Sequence, residues 1–570
     1  MSQKPTERGY LEAFFDKLAA WQFGLTPERS SYTTHEVEIP LEGEEHIKLA
    51  ATVFLAIPPK AKNVQAVPLG TILVQSPYGR SAPFSLLCAR VWAARGYHVL
   101  YVSTRGSFGS SGVQDPARTD RADGPRVVRW MRKQAWYTGS FATWGMSYLG
   151  YTQWSLLASD EPLGDMAAAI ISVGPHDFSD LLWGTGAHWL PSVDWAQMQG
   201  QIASWSWWRA LYEFSRADPN QNNATKRAVP LDDGVKSLLG GAESPQYQFL
   251  HKWLVNEYIE KDEAGLWEPM KQHRALQRAD IPILLLAGWQ DIFVRENLDQ
   301  YEQLKANGCQ VGLTVGPWHH GEVGPAGGVM QEVLDWLDKY LAKKPVDNRQ
   351  APVRIDITGS NESRWLPSWP PATKPLELYL DTPGKLCSSS PERIDQSQFT
   401  FDPHDPTPTM GGGLLFKGGY VDDSALAKRA DVLSFDMPVD EDIEVIGIPR
   451  IHLAHSSDNP HVDVFVRLSE VNRKGVSRNL CEVYKRLDAK RAHQPGQLAT
   501  VELELSPVAH CFKNGTRIRL LVAGGNFPHY SYNLGSGEPQ ATGTTLRPAK
   551  HTIQTGGTGG SKFMLPISSK

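Results

Sequence analysis

The sequence predicts an α/β protein in which a parallel sheet flanked by helices is interrupted by a helical insertion and followed by an all-β region. Three observations carry that expectation. Short apolar runs bounded by turn residues alternate with helical patterns between residues 71 and 173, as in buried parallel strands joined by helices. Across 176–275 the texture turns helical, with Trp183, Trp189, Trp195, Trp205, Trp207 and Trp208 gathered early. Beyond a polar, proline-containing stretch at 343–352, short strands are broken by Gly, Pro and Asn, the texture of a β-sandwich.

Taken in order, Tyr10, Leu11, Phe14, Phe15, Leu18 and Trp21 recur at helical spacing, so 9–22 is expected to be an amphipathic helix packed on the main domain. Strands follow at 35–39 and 47–57. Residues 71–75 and 98–102 read as buried parallel strands around a helix at 85–95, with a further helix at 121–134. Residues 141–144 lead through a turn into a helix at 148–158. The sheet continues at 170–173, 281–287 and 310–315, and a helix at 330–342 closes it. The sandwich is expected to include 353–357, 376–380, 444–455, 462–471, 499–505 and 517–523. This divides the chain into an N-terminal extension (1–34), a catalytic domain (35–175 with 276–345), a cap (176–275) and a C-terminal sandwich (353–570).

Composition narrows the function. At 570 residues the chain is too long for one core. A net charge of −5 and a pI near 6.4 argue against nucleic acid or an anionic membrane as the main partner. Nineteen tryptophans suggest pockets with aromatic walls. Five cysteines, odd in number and far apart, have no metal-ligand spacing and read as free thiols of a reducing compartment. The N-terminus has no signal-peptide core, and no run reaches the ~18–20 apolar residues of a membrane span. A cytoplasmic protein without metal or organic cofactor is the expectation.

The chemistry is carried by Trp144-Gly-Met-Ser-Tyr-Leu-Gly150. A serine after a glycine at a strand-to-helix turn is the nucleophile elbow of an α/β-hydrolase. It exposes Oγ beside the first free N–H groups of the helix, where an oxyanion would form. The second glycine usually falls two residues after the serine; here Leu149 holds that place and the glycine is Gly150. An elbow serine needs an acid and a histidine on later strand ends, in that order. Asp291 ends the segment Gly288-Trp-Gln-Asp291 after one strand, and Gly316-Pro-Trp-His-His320 follows the next and supplies two histidines. The imidazole would take the serine proton, and the carboxylate would fix its tautomer.

These segments resemble one family over nearly the whole chain from about residue 35. Together with Ser76-Pro-Tyr-Gly-Arg80, Thr104-Arg-Gly-Ser-Phe-Gly-Ser-Ser-Gly112, Gln134-Ala-Trp136, Gly145-Met-Ser-Tyr-Leu-Gly-Tyr-Thr-Gln-Trp154 and Asn526-Phe-Pro528, they are similar to the cocaine-esterase-type hydrolases, which are grouped with X-Pro dipeptidyl-peptidases and α-amino-acid ester hydrolases. The shifted glycine is a feature of that family. The resemblance implies an α/β-hydrolase domain with a helical cap, followed by a jelly roll that is mainly a packing domain. It implies Ser147 as nucleophile, Asp291 as acid, and His320 rather than His319 as base, because the family's histidine is fifth in the motif that begins Gly-Pro-Trp. The family usually has Ser or Thr at His319, and Asp at Ser103. It implies the Tyr78 hydroxyl and the Tyr148 N–H as oxyanion donors, and Phe293 as an acyl-pocket wall; Trp183 is a second candidate wall. Arg105 is expected to anchor its loop through an ion pair to Asp120 or Asp123.

The activity expected is hydrolysis of carboxylic esters with a bulky or aromatic acyl group, on a small-molecule substrate, by a protein free to form a homodimer. An amide or aminoacyl hydrolase or acyltransferase is the alternative. It would need cap carboxylates to hold an ammonium, with Asp177, Asp180 and Asp194 as candidates. A carbohydrate- or partner-binding protein with a vestigial triad is the remote reading.

Overall fold

The computed structural model describes residues 5–57, 67–204, 206–216, 218, 220–257, 265–326, 328–487 and 494–568. Trp205 lies outside them. The fold class is the expected one: an α/β-hydrolase domain with a helical cap, followed by a β-rich domain.

Among the described residues eleven strands form the main sheet: β1 (Thr6–Glu7), β2 (Ser31–Leu41), β3 (Glu44–Ile57), β4 (Thr71–Ser76), β5 (His98–Ser103), β6 (Phe141–Met146), β7 (Met166–Ser172), β8 (Ile283–Gln290), β9 (Val311–His319), β10 (Val353–Ile357) and β11 (Glu362–Leu366). Their order is β1-β2-β3-β5-β4-β6-β7-β8-β9-β10-β11. From β5 across to β10 neighbouring strands run parallel. β4 and β8 are buried along their whole length. Helices cover both faces of such a sheet, which is why these strands read as unbroken apolar runs. The chain reverses its direction of travel at β4, between β5 and β6. In an open parallel sheet the crevice for ligands lies at such a switch, outside the carboxyl ends of the strands.

Two expectations are corrected here. Val353–Ile357 does not join the sandwich. It lies parallel to β9, pairing Val353 with Leu313 and Ile355 with Val315, and so extends the main sheet. A five-residue apolar alternation fits either sheet, and only its long-range partner decides. The N-terminal helix forms at Tyr10–Gln22, but not with its apolar stripe inward. Tyr10 is 99% and Trp21 79% exposed, whereas Asp16 and Ala20 are buried. The Asp16 carboxylate docks the helix: it takes ion pairs from Arg8 and Arg90, both 2.8 Å, and the Tyr32 hydroxyl at 2.8 Å. A buried carboxylate with three donors has its desolvation offset, and that outweighs the preference of the aromatic rings for cover.

Between β7 and the helix His273–Arg278 the cap supplies the helices Phe178–Trp183, Pro191–Gln201, Trp207–Arg216, Asn223–Lys226, Leu231–Leu238 and Pro245–Val255. Its two stalks are joined where Asp177 bridges to Lys271. Among the described residues the C-terminal region has thirteen strands between Thr373 and Ser568, around a core that includes Leu378, Phe435, Val466, Leu520 and Phe563. The single strand expected at 444–455 is two, Ile443–Gly447 and Arg450–Ser457. Pro449 stands between them and cannot donate to a ladder. Among the described residues no helix is long and apolar enough to cross a membrane.

Candidate active site

The backbone turns sharply between β6 and the helix Tyr148–Leu157. Ser147 sits at φ 57° and ψ −123°, a strained conformation for a residue with a side chain. Two glycines permit it. A Cβ on Gly145 would lie 2.3 Å from the Leu149 Cβ, and one on Gly150 would lie 2.6 Å from the Gly174 Cα. The second contact explains the displaced glycine: position 150, not 149, faces the neighbouring loop.

Asp291 follows β8 directly, and His320 follows β9. The three side chains meet. His320 Nε2 lies 3.0 Å from Ser147 Oγ, and His320 Nδ1 lies 2.6 Å from Asp291 Oδ2. Asp291 is buried, and its Oδ1 accepts the Phe293 N–H at 2.7 Å, which fixes the carboxylate plane. His319 goes elsewhere: its Nε2 lies 3.4 Å from Glu322 at the surface. On an extended segment successive side chains point to opposite sides, so only one of the two histidines can face Ser147.

Tyr78 stands two residues beyond β4, which pairs with β6. Its ring stacks on Phe84 at 5.8 Å, and burial pushes its hydroxyl up to about 12. Tyr78 and Ser147 line the same cavity. The N–H of Tyr148 opens the helix and has no carbonyl partner among the described residues. The Tyr148 side chain is held by Asp120, 2.7 Å away, and by the Ala117 N–H at 2.6 Å. Burial and the charge of Asp123 push Asp120 up to about 7. Arg105 pairs with Asp123 at 2.6 Å and with Glu44 at 2.7 Å, anchoring its loop away from Ser147.

A small cavity of about 30 Å³ borders Ser147. Its walls include Phe178, Leu181, Trp195, Trp253, Phe293 and Leu415. Phe293 lines this cavity and lies edge-on to His320 at 5.6 Å. Trp183 is not a wall. Its indole donates to the Trp253 carbonyl at 2.9 Å and its ring packs on His188, so it stands behind Trp253 in the cap core. Trp195 and Leu415 were not singled out. Trp195 was one tryptophan among many, and Leu415 comes from the C-terminal region, about which β6 and β8 carry no local signal. That region also grips the acid loop: Asn479 Nδ2 donates to Gln290 at 3.0 Å, and Gln290 donates to the Leu480 carbonyl at 2.5 Å.

The candidate ammonium-holding carboxylates lie off this cavity. Asp194 is paired to Lys226 at 2.5 Å, both buried. Asp177 caps the helix Phe178–Trp183 and pairs with His273 at 2.9 Å. Asp180 lines a separate cavity of about 680 Å³ at the junction of cap, catalytic sheet and C-terminal region, whose acidic wall includes Glu296, Asp299, Glu482 and Glu504. Burial with the nearby charges of Glu296 and Asp177 pushes Asp180 up to about 6. Among the described residues the two cavities have in common the apolar side chains of Leu181, Trp189, Ile292 and Phe293.

Residues 45–322 match the family model described as X-Pro dipeptidyl-peptidase (S15 family), and residues 346–562 match its C-terminal non-catalytic domain. The chain is 28% identical over 519 residues to the cocaine esterase of Rhodococcus sp. (strain MB1 Bresler), across 82% of this chain and 88% of that protein. Its fold is similar to an aminopeptidase from a marine sediment archaeon, Thaumarchaeota archaeon, with TM-score 0.78 and 22% identity over 94% of this chain and 96% of that one. It is similar also to an α-amino acid ester hydrolase, with TM-score 0.76 and 20% identity over 94% and 97%.

Proposed function

Because the chain belongs to the serine hydrolases of the X-Pro dipeptidyl-peptidase (S15) family, we propose that it cleaves carboxylic esters through a Ser147–His320–Asp291 triad. The observation that carries the reading is the hydrogen-bonded line from Ser147 through His320 to Asp291, at 3.0 and 2.6 Å. Ser147 Oγ attacks the ester carbonyl carbon while its proton passes to His320 Nε2. Asp291 accepts the Nδ1–H and stabilises the imidazolium. The tetrahedral oxyanion accepts hydrogen bonds from the Tyr78 hydroxyl and the Tyr148 N–H. Collapse expels the alcohol, which takes its proton from His320, and water repeats the sequence on the acyl-enzyme. The domain division we infer is 35–175 with 276–366 for catalysis, 176–275 for the cap, and a jelly roll from Thr373 onward.

An ester is favoured over an aminoacyl substrate because the walls beside Ser147 are apolar and the candidate cap carboxylates are engaged or face the other cavity. A cationic amine at the acyl site would be desolvated without a partner. The acyl group is apolar, and a cavity of about 30 Å³ takes a short chain without rearrangement. Trp195 and Trp253 do line the cavity, so the bulky or aromatic acyl group expected from the tryptophan count would fit there only if the cavity opened.

Treatment with a fluorophosphonate followed by peptide mass tests the reading. A single adduct on Ser147 that is lost in His320→Ala supports it. A folded protein that takes up no label refutes it. Turnover of 4-nitrophenyl acetate but not of an aminoacyl-proline anilide separates ester from peptide chemistry.

A further inference from the structure

Tyr78, a strand-end residue of the catalytic sheet, has its hydroxyl contacted from across the domain by Trp195 on the cap helix Pro191–Gln201. The Trp195 Nε1–H donates to that hydroxyl at 3.1 Å. The indole is clamped: it stacks on Tyr148 at 6.0 Å and 9°, on Trp253 at 6.1 Å and 24°, and meets Phe249 edge-on at 5.8 Å. It cannot swing away without opening the cap core. An indole N–H only donates, so on that side the Tyr78 oxygen must accept. A phenolic O–H lies in its ring plane in one of two positions. With the indole hydrogen on one side, the other remains for the cavity that Tyr78 and Ser147 both line.

We propose that Trp195 is a positioning residue for the oxyanion site: by donating to the Tyr78 hydroxyl it turns that hydroxyl's single proton toward the reacting oxygen at Ser147. The inference rests on the reading of Tyr78 as an oxyanion donor. It makes the site dependent on cap docking, because one half of the hydrogen-bonded pair belongs to the cap. The same donation polarises the phenol and opposes the effect of burial on it. The expected contribution is modest, since a neutral hydrogen bond corresponds to about 2- to 12-fold in rate.

A double-mutant cycle on 4-nitrophenyl acetate hydrolysis tests it. Position 195 is changed to Phe and, separately, to 3-benzothienylalanine, which keeps the outline of the indole but has sulfur in place of N–H. Each change is made in the wild-type and Tyr78→Phe backgrounds. We expect kcat to fall about 3- to 10-fold with KM unchanged when Tyr78 is present, and no further fall when it is Phe. Equal losses in both backgrounds, or a benzothienyl variant as fast as wild type, overturn the inference. The benzothienyl variant preserves packing, so a poorly folded Trp195→Phe protein does not mask the result. Ser147→Ala is run alongside. If it abolishes turnover while the cycle shows no coupling, the role of Trp195 falls alone. If it leaves turnover intact, the active-site reading falls and the inference with it.

Discussion

Replacing Asp291 by asparagine changes one atom, and the structure determines where that atom goes. Asp291 Oδ1 accepts the Phe293 N–H at 2.7 Å, while Oδ2 faces His320 Nδ1 at 2.6 Å. In Asp291→Asn the amide oxygen must stay with Phe293, because an NH2 there would set donor against donor. The NH2 therefore faces Nδ1. The imidazole must then accept at Nδ1 and carry its hydrogen on Nε2, the nitrogen 3.0 Å from Ser147 Oγ. An Nε2–H cannot take the serine proton. The wrong tautomer is expected to lower kcat by about 10⁴, or ~5 kcal/mol of barrier. Stability should hardly change, since the side chain is isosteric and the bond to Phe293 survives. The assay is steady-state hydrolysis of 4-nitrophenyl acetate near neutral pH, with the rate of fluorophosphonate labelling at Ser147 and the Tm measured on the same samples. A variant that is folded and within an order of magnitude of wild type would refute the tautomer argument and the assignment of Asp291.

Phe293→Ala removes a wall of the 30 Å³ cavity and should raise the ratio of benzoyl to acetyl ester turnover, while lowering stability by about 3 kcal/mol; an unchanged ratio on the folded variant counts against Phe293 as an acyl wall. Arg105→Met leaves Asp123, 6% exposed, without its main partner, and should lower unfolding free energy by about 2–3 kcal/mol, with most of the loss recovered in Arg105→Met/Asp123→Asn. Urea unfolding of the three variants checks this, and no recovery in the pair means the anchoring argument fails. His188 is fully buried, and burial pushes its imidazole down to about 3. The native state keeps it neutral while the unfolded chain protonates near 6.5, so its contribution is fully present above about pH 6.5 and is lost as pH falls toward 3. By pH 5 the loss is about 2 kcal/mol. The fall in stability between pH 7 and pH 5 should shrink by that amount in His188→Gln, and an equal fall in both proteins contradicts the assignment.

Local information was enough where a function depends on the chain immediately around it. The turn at Ser147 is encoded by Gly145 and by the apolar strand and helix on either side, because those residues fix the backbone that exposes Oγ. Asp291 and His320 were legible for the same reason: each follows a short apolar strand, and a buried parallel strand has few other ways to end than in a loop at the crevice. The pairing of Arg105 with Asp123 was one of two alternatives, and the other acid, Asp120, holds Tyr148 instead. Tertiary structure decided what depends on contact between distant segments. Trp183 and Trp195 are both buried tryptophans of the cap, yet only Trp195 reaches Tyr78, because helix packing rather than sequence spacing sets which ring faces inward. Leu415 enters the cavity at Ser147 from a loop 268 positions along the chain. The strand Val353–Ile357 found its partner in β9, and the N-terminal helix turned Asp16 and Ala20 inward rather than its aromatic stripe. The physical reason is common to all four. Backbone conformation follows from a residue's near neighbours, whereas burial and hydrogen-bond partners are settled by which distant surfaces meet, and a single sequence carries no direct record of that.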